Sequence, residues 1–368
     1  MPEIPINPSH DELITSLADN GMTLTFILTF WDKEYVAQGG VLPSPRFKTE
    51  EEIQRYLDFV RYMVRHLRDR VEYFEIWNEP NGLDSIQSID VDDYINLVAR
   101  TVPVIREEYP EAKIVVGGVS DIRPQDTYDY FTGIIESDDI MPIVDVVSWH
   151  GMYGVSPEYD YYREYYYTYP SMVAEIRETA ASHGFSGELV SDELNWATHA
   201  TPCHCRERNI ETLYSETGAA KYFARGILMN LGLDLSVSHF YVVPGAHPQL
   251  IIDTLRNMST IMAGAQATEL AVSVQSEATD IVTYTFSMSN GDLLVALWRD
   301  GVATDVDLGT EATVTVAGLS AQTTTAIDAV YGFESELITD SADGDLVIRG
   351  LLVRDSPLVL RFSGVSSP

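Results

Sequence analysis

Tyr73-Phe74-Glu75-Ile76-Trp77-Asn78-Glu79-Pro80-Asn81 is a short aromatic and β-branched run that stops at a proline. The pattern predicts a buried strand ending at Glu79. Alternation along that strand places Glu75, Trp77 and Glu79 on one face, with Glu79 where strand gives way to loop. A carboxylate at the C-terminal end of a parallel strand reads as a catalytic group. An ordinary strand-end acid fits an isolated Asn-Glu-Pro as well, so a second segment matters. Leu189-Val190-Ser191-Asp192-Glu193-Leu194-Asn195-Trp196 repeats the form: an apolar strand, an acid at its end, then an aromatic residue.

Working outward, Ser9 and Glu12 have capping-box spacing and open a helix that Asn20-Gly21 closes. A strand follows from Thr23 to Trp31, whose alternation carries Trp31 to the rim of a barrel mouth. Thr49 and Glu52 open a long amphipathic helix with Ile53, Tyr56, Leu57, Val60, Met63, Val64 and Leu67 on one stripe. Further helices are expected near 91–108, 126–136, 171–183 and 216–232. They alternate with strands at 112–118, 144–150, the Glu193 segment and 237–243. Repeated strand-helix alternation implies a parallel sheet with right-handed crossovers. From about 266 the helical period gives way to short strands near 266–274, 279–288, 291–299, 312–316, 325–330, 344–349 and 358–362. Asn-Gly, Asp-Gly and Ser-rich turns separate them, as in an all-β sandwich.

Composition narrows the classes of partner. The 368 residues carry 56 acids against 23 bases, a formal charge of −33, which opposes binding to nucleic acid. Four of those bases are Lys, so the surface is rich in acid and Arg, and its self-repulsion calls for screening, as in a high-salt milieu. At 45% hydrophobic residues the chain can bury a large core, yet no apolar run approaches the roughly 18 residues of a membrane span. Met1-Pro2-Glu3 lacks the basic region of a signal peptide. Cys203 and Cys205 are separated by one residue, too close for an ordinary structural disulfide. With His199 and His204 they offer a His-x3-Cys-His-Cys loop that can ligate zinc, although two thiols in a loop explain it as simply.

Trp77-Asn78-Glu79-Pro80 and Glu193-Leu194-Asn195-Trp196 resemble the fourth- and seventh-strand motifs of retaining glycoside hydrolases built on (β/α)8 barrels. The nearest likeness is to glycoside hydrolase family 39, the β-xylosidase and iduronidase group, with a family 5 cellulase-like β-glycanase as the alternative. The likeness spans residues 9 to about 265. It implies a barrel catalytic domain over 1–265 and a β-sandwich domain over 266–368. It also implies Glu79 as acid/base, Glu193 as nucleophile, and Asn78 on the sugar 2-hydroxyl. His150 and Tyr153 match the His and Tyr that related barrels carry at their sixth strand, and Trp31 and Trp196 are candidates for stacking on sugar. The tyrosine-rich loop from Tyr159 to Tyr169 is a further candidate platform. Two carboxylates on separate strand ends are what hydrolysis of a glycosidic bond requires, and no metal or organic cofactor is needed.

If the Glu79 strand is the fourth of such a barrel, the segment at 23–31 is the third. The expected fold is then a TIM barrel lacking its first strands, N-terminally truncated with six full strands. Loss of those strands leaves Glu75 pointing into the barrel without a partner, and it leaves open a non-catalytic carbohydrate-binding homologue. A hydrolase using metal at the His199–Cys205 cluster is the third reading.

Overall fold

The computed structural model describes residues 6–82, 86–199, 213–237, 240, 242 and 247–365. The chain divides into two compact units, Met1–Gly151 with Ser171–Asp192, and Met152–Pro170 with Glu193–Pro368. The second therefore takes in residues of both domains expected from sequence.

The first unit opens with α1 (Pro8–Asp19), β1 (Thr25–Ile27), α2 (Lys33–Ala37), α3 (Glu50–Leu67) and β2 (Tyr73–Glu75). It continues with α4 (Val91–Glu108), β3 (Lys113–Val119), α5 (Gln125–Ile135) and β4 (Val146–Trp149). After α6 (Asp160–Ser182), whose residues up to Pro170 belong to the second unit, comes β5 (Glu188–Ser191). Strands β1 to β5 lie side by side in chain order, every pair parallel, as a curled half-barrel sheet. Helix α3 buries the stripe expected of it, Ile53 through Leu67, and all four residues of β4 are buried, as a sheet covered on both faces demands. On one sheet face Val115, Val146 and Val190 from three neighbouring strands pack together, with Tyr73 against them.

Local chemistry departs from the sequence reading at several points. Asn7, not Ser9, caps α1: its side chain accepts from the Ser9 amide, and Pro8 takes the first helical position. Thr49 caps α3 as expected, but the Glu52 carboxylate turns to Arg46 and the Phe47 amide instead of completing a capping box. The tyrosine-rich segment is helical from Asp160 onward and runs through Pro170. Tyr162, Tyr166 and Tyr169 recur at helical spacing and are buried, so three of the proposed platform rings are core. Strand β2 ends at Glu75, four residues short of Glu79, because the backbone enters the left-handed region at Trp77 (φ 72°).

The second unit carries α7 (Glu216–Gly232), β6 (Ser236–Val237) and α8 (Gln249–Ile261). Most of the strand expected at 237–243 lies outside the described residues. Then come β7 (Gln266–Ala267), β8 (Val272–Ser276), β9 (Ile281–Ser287), β10 (Leu293–Arg299) and β11 (Thr310–Val316). The chain ends with β12 (Thr323–Asp328), β13 (Glu334–Glu336), β14 (Asp340–Ala342), β15 (Asp345–Val353) and β16 (Leu358–Ser363). They form two antiparallel sheets, in the orders β13-β12-β16-β10-β9-β7 and β14-β15-β11-β8. Val295 and Leu360 of the first sheet share one apolar core with Val314 and Ile348 of the second. Helix α7 is buried along most of its length, and its Lys221 and Arg225 bond to Asp355, the former through the carboxylate and the latter through the backbone carbonyl.

Candidate active site

Glu79 is held in the left-handed region (φ 48°), two residues beyond the equally unusual Trp77. Such backbone costs of order 1–3 kcal/mol per residue and persists only where its surroundings enforce it. Here the enforcement is visible. The Glu79 amide donates to the Gly118 carbonyl at 2.9 Å, and the Trp77 indole donates to the Gln87 carbonyl at 2.7 Å. Trp77 is fully buried, edge-on to Phe47, with the buried Arg46 guanidinium 5.2 Å from its ring centre. Arg46 in turn pairs with Glu52 and donates to the Phe30 and Ile86 carbonyls. Trp77 therefore faces the Phe47–Tyr56 cluster and does not share a face with Glu75 and Glu79.

Strand β3 supplies the anchor. Its register shifts between Val116 and Val119, where Gly117 and Gly118 both take positive φ. A Cβ on Gly117 would meet the Ser148 carbonyl oxygen at 2.1 Å, and one on Gly118 would meet Glu75 Oε1 at 2.7 Å. Only glycine fits such a bulge, and bulges of this kind re-aim neighbouring side chains. The Gly118 carbonyl receives the Glu79 amide, and the next carbonyl, Val119, receives the His150 amide at 2.9 Å. Tyr94 braces the bulge, its hydroxyl donating to the Ile76 carbonyl and accepting from the Gly117 amide, each at 2.9 Å. Burial pushes the Tyr94 hydroxyl far above its ordinary range, so it stays protonated. Glu75, expected to lack a partner, accepts from the Ser148 hydroxyl at 3.1 Å.

His150 stands directly after β4 and Asp192 directly after β5, whose last residues Trp149 and Ser191 are register partners. The imidazole lies between two carboxylates: Nδ1 is 3.6 Å from Glu79 Oε1, and Nε2 is 3.7 Å from Asp192 Oδ1. These are ion-pair distances, longer than hydrogen bonds. The His150 side chain is 4% exposed and that of Glu79 37%, so the histidine is enclosed while the glutamate reaches solvent. Asn78 is partly exposed, and its carbonyl accepts from Gln87. Trp31 lies past the end of β1 and is 37% exposed.

In the second unit, Glu193 is partly exposed and sits one residue before Leu194, which forms a parallel bridge with Phe240. The Asn195 amide donates to the Tyr153 hydroxyl at 3.1 Å. Trp196 cannot stack on a sugar in this conformation. It is fully buried, packs edge-on to Phe223, and donates its indole N–H to the Val155 carbonyl.

Among the described residues no cluster of His, Cys, Asp and Glu could hold a metal. Cys203, His204 and Cys205, named for the zinc reading of that loop, lie outside those residues. No helix among the described residues is long and apolar enough to cross a membrane. Sequence reasoning missed Asp192, Ser148 and Tyr94. The Gly117-Gly118 pair was a readable signal, since glycines inside a strand pattern mark a bulge.

No protein-family model matches the chain, and no curated protein matches it in sequence. Solved structures do resemble it. A family 39 glycoside hydrolase from the gut symbiont Bacteroides cellulosilyticus superposes with a TM-score of 0.66 at 16% identity, covering 98% of this chain and 72% of that one. A family 51 α-L-arabinofuranosidase from Bifidobacterium longum gives 0.62 at 10% identity over 96% and 79%. A glucosidase from Croceicoccus marinus gives 0.60 at 11% identity over 97% and 82%. At these identities the likeness is one of fold: this chain is built like several families of glycoside hydrolase.

Proposed function

We propose that this protein is a retaining glycoside hydrolase of β-xylosidase-like specificity, with Glu79 as acid/base and Glu193 as nucleophile. The observation that carries the reading is the effort spent on Glu79. A strained backbone, a glycine bulge and a buried histidine all converge on one solvent-reaching carboxyl group beyond a parallel strand. The fold it shares with carbohydrate-acting enzymes supports the same reading.

In the first step a Glu193 carboxylate oxygen bonds to the anomeric carbon as the bond to the departing oxygen breaks, and Glu79 protonates that oxygen. In the second, Glu79 takes a proton from water as the water oxygen attacks the same carbon and the ester to Glu193 breaks. Asn78 would hold the 2-hydroxyl, with Tyr153 and Trp31 against the sugar. The substrate is a neutral glycoside, in keeping with the charge of −33.

Aryl β-xylosides and β-glucosides test this with Glu79→Gln and Glu193→Gln. Each substitution should abolish nearly all turnover, and proton NMR of the first-formed sugar should show the β-anomer retained. Full activity in either variant refutes the assignment. Inversion would put the carboxyls about 6.5–9.5 Å apart in place of about 5–5.5 Å. Sugar-induced thermal stabilisation without product release would point instead to a carbohydrate-binding protein.

A further inference from the structure

Asp192 is 7% exposed, and neither of its carboxylate oxygens accepts a hydrogen bond among the described residues. A buried carboxylate in that state is costly and needs an explanation. Its backbone offers none, because the amide is already committed to the Trp149 carbonyl at 3.2 Å. What the side chain faces is His150 Nε2, at 3.7 Å, while the opposite nitrogen of the same ring faces Glu79.

We propose that Asp192 is a positioning residue: it keeps the proton of His150 on Nε2, so that Nδ1 is the nitrogen turned to Glu79 Oε1. The inference rests on reading Glu79 as the acid/base. A carboxylate opposite an imidazole nitrogen requires a proton there, since two lone pairs repel. Neutral imidazole has one such proton; with Glu79 carrying its own proton as the acid, Asp192 is the ionised neighbour and fixes the ring proton on Nε2. Nδ1 then accepts from Glu79 when that group is protonated, and donates to it when the ring carries a second proton. The contact occupies Oε1 and leaves Oε2 for the glycosidic oxygen. Apo distances of this kind commonly shorten once substrate excludes water.

The test is nitrogen NMR of the histidine rings, with His150 assigned by its loss in His150→Gln. The wild-type ring should carry its proton on Nε2. In Asp192→Asn the amide can donate to Nε2, so the proton should move to Nδ1 or divide between the two. A wrong tautomer is costly to acid–base chemistry, and kcat on an aryl glycoside should fall about tenfold or more, with KM changed less than about threefold. Asp192→Glu should restore the wild-type tautomer and part of kcat. A wild-type ring protonated on Nδ1 alone overturns the proposal, as does an Asp192→Asn variant with unchanged tautomer and kcat. If Glu79→Gln stays active the functional reading falls, yet the ring spectra still decide what Asp192 does to His150.

Discussion

Replacing Tyr94 with Phe removes one oxygen atom and strands two backbone groups. The hydroxyl links the Ile76 carbonyl, just before the Glu79 turn, to the Gly117 amide inside the bulge, both at 2.9 Å, and the tyrosine is fully buried. Ile76 and Gly117 are both buried, and a buried polar group left unpaired costs about 1–3 kcal/mol. Two of them give a loss of about 2–6 kcal/mol, which at about 2–4 °C per kcal/mol lowers Tm by roughly 4–24 °C. Urea unfolding followed by tryptophan fluorescence measures the loss. Tyr130→Phe serves as the internal standard, because its hydroxyl bonds to one carbonyl, that of Ile89, and should cost about 1 kcal/mol. A Tyr94→Phe variant within about 0.5 kcal/mol of wild type would refute the account of the bulge as a braced, buried joint.

Three further outcomes follow from the same structure. Lys221 and Asp355 form an ion pair with side chains 5% and 6% exposed, so Lys221→Met leaves a buried carboxylate held by Thr304 but without its cation and should cost about 3–5 kcal/mol in urea unfolding; a loss below about 1 would count against it. Burial tends to raise the Asp307 carboxyl, but the Gly309 and Asp355 amides and the Arg299 and Lys221 cations outweigh it, leaving the group below its ordinary range. A carboxyl lowered in the fold stabilises it above the unfolded pKa and loses that effect as pH falls through the folded value. Asp307→Asn should therefore be less stable than wild type near pH 7, with the gap closing below about pH 4. Screening of the −33 charge should raise Tm between dilute buffer and molar KCl, and a flat or falling curve would remove the high-salt reading.

The repeating layout of strands and helices was legible because its signals are local. Leu67 and its partners on α3 repeat at helical spacing, Asn20-Gly21 stops α1, and β4 carries Val146, Val147 and Trp149 with a single polar residue among them. What was not legible depends on residues far apart. The strand at Glu75 ends early because of Arg46, Gln87 and Gly118, none of which adjoins it in sequence. The tyrosine segment, expected as a loop, is helical with Pro170 inside it, and Tyr162, Tyr166 and Tyr169 lie on its buried side. Helix α8 went unread, although Pro248 precedes it and Ile251, Thr254, Met258 and Ile261 mark its buried side. The segment at 266–274 reads as one strand, yet β7 and β8 belong to different sheets, a choice made by their partners. In the site, Glu79 and His150 stood out as strand-end residues, but the role of Asp192 appears only once two strand ends are side by side.

Successive carbonyls of a single strand carry the amides of Glu79 and His150. Flexing of the sheet would therefore translate the two residues together, much as adjacent keys travel on one ring. Random substitutions in the outer loops should accordingly leave their spacing alone, while one added methyl group on Gly117 or Gly118 would disturb both. Libraries aimed at new specificity in this scaffold would do well to vary the segments after β1 and β4 and to leave the middle strand untouched.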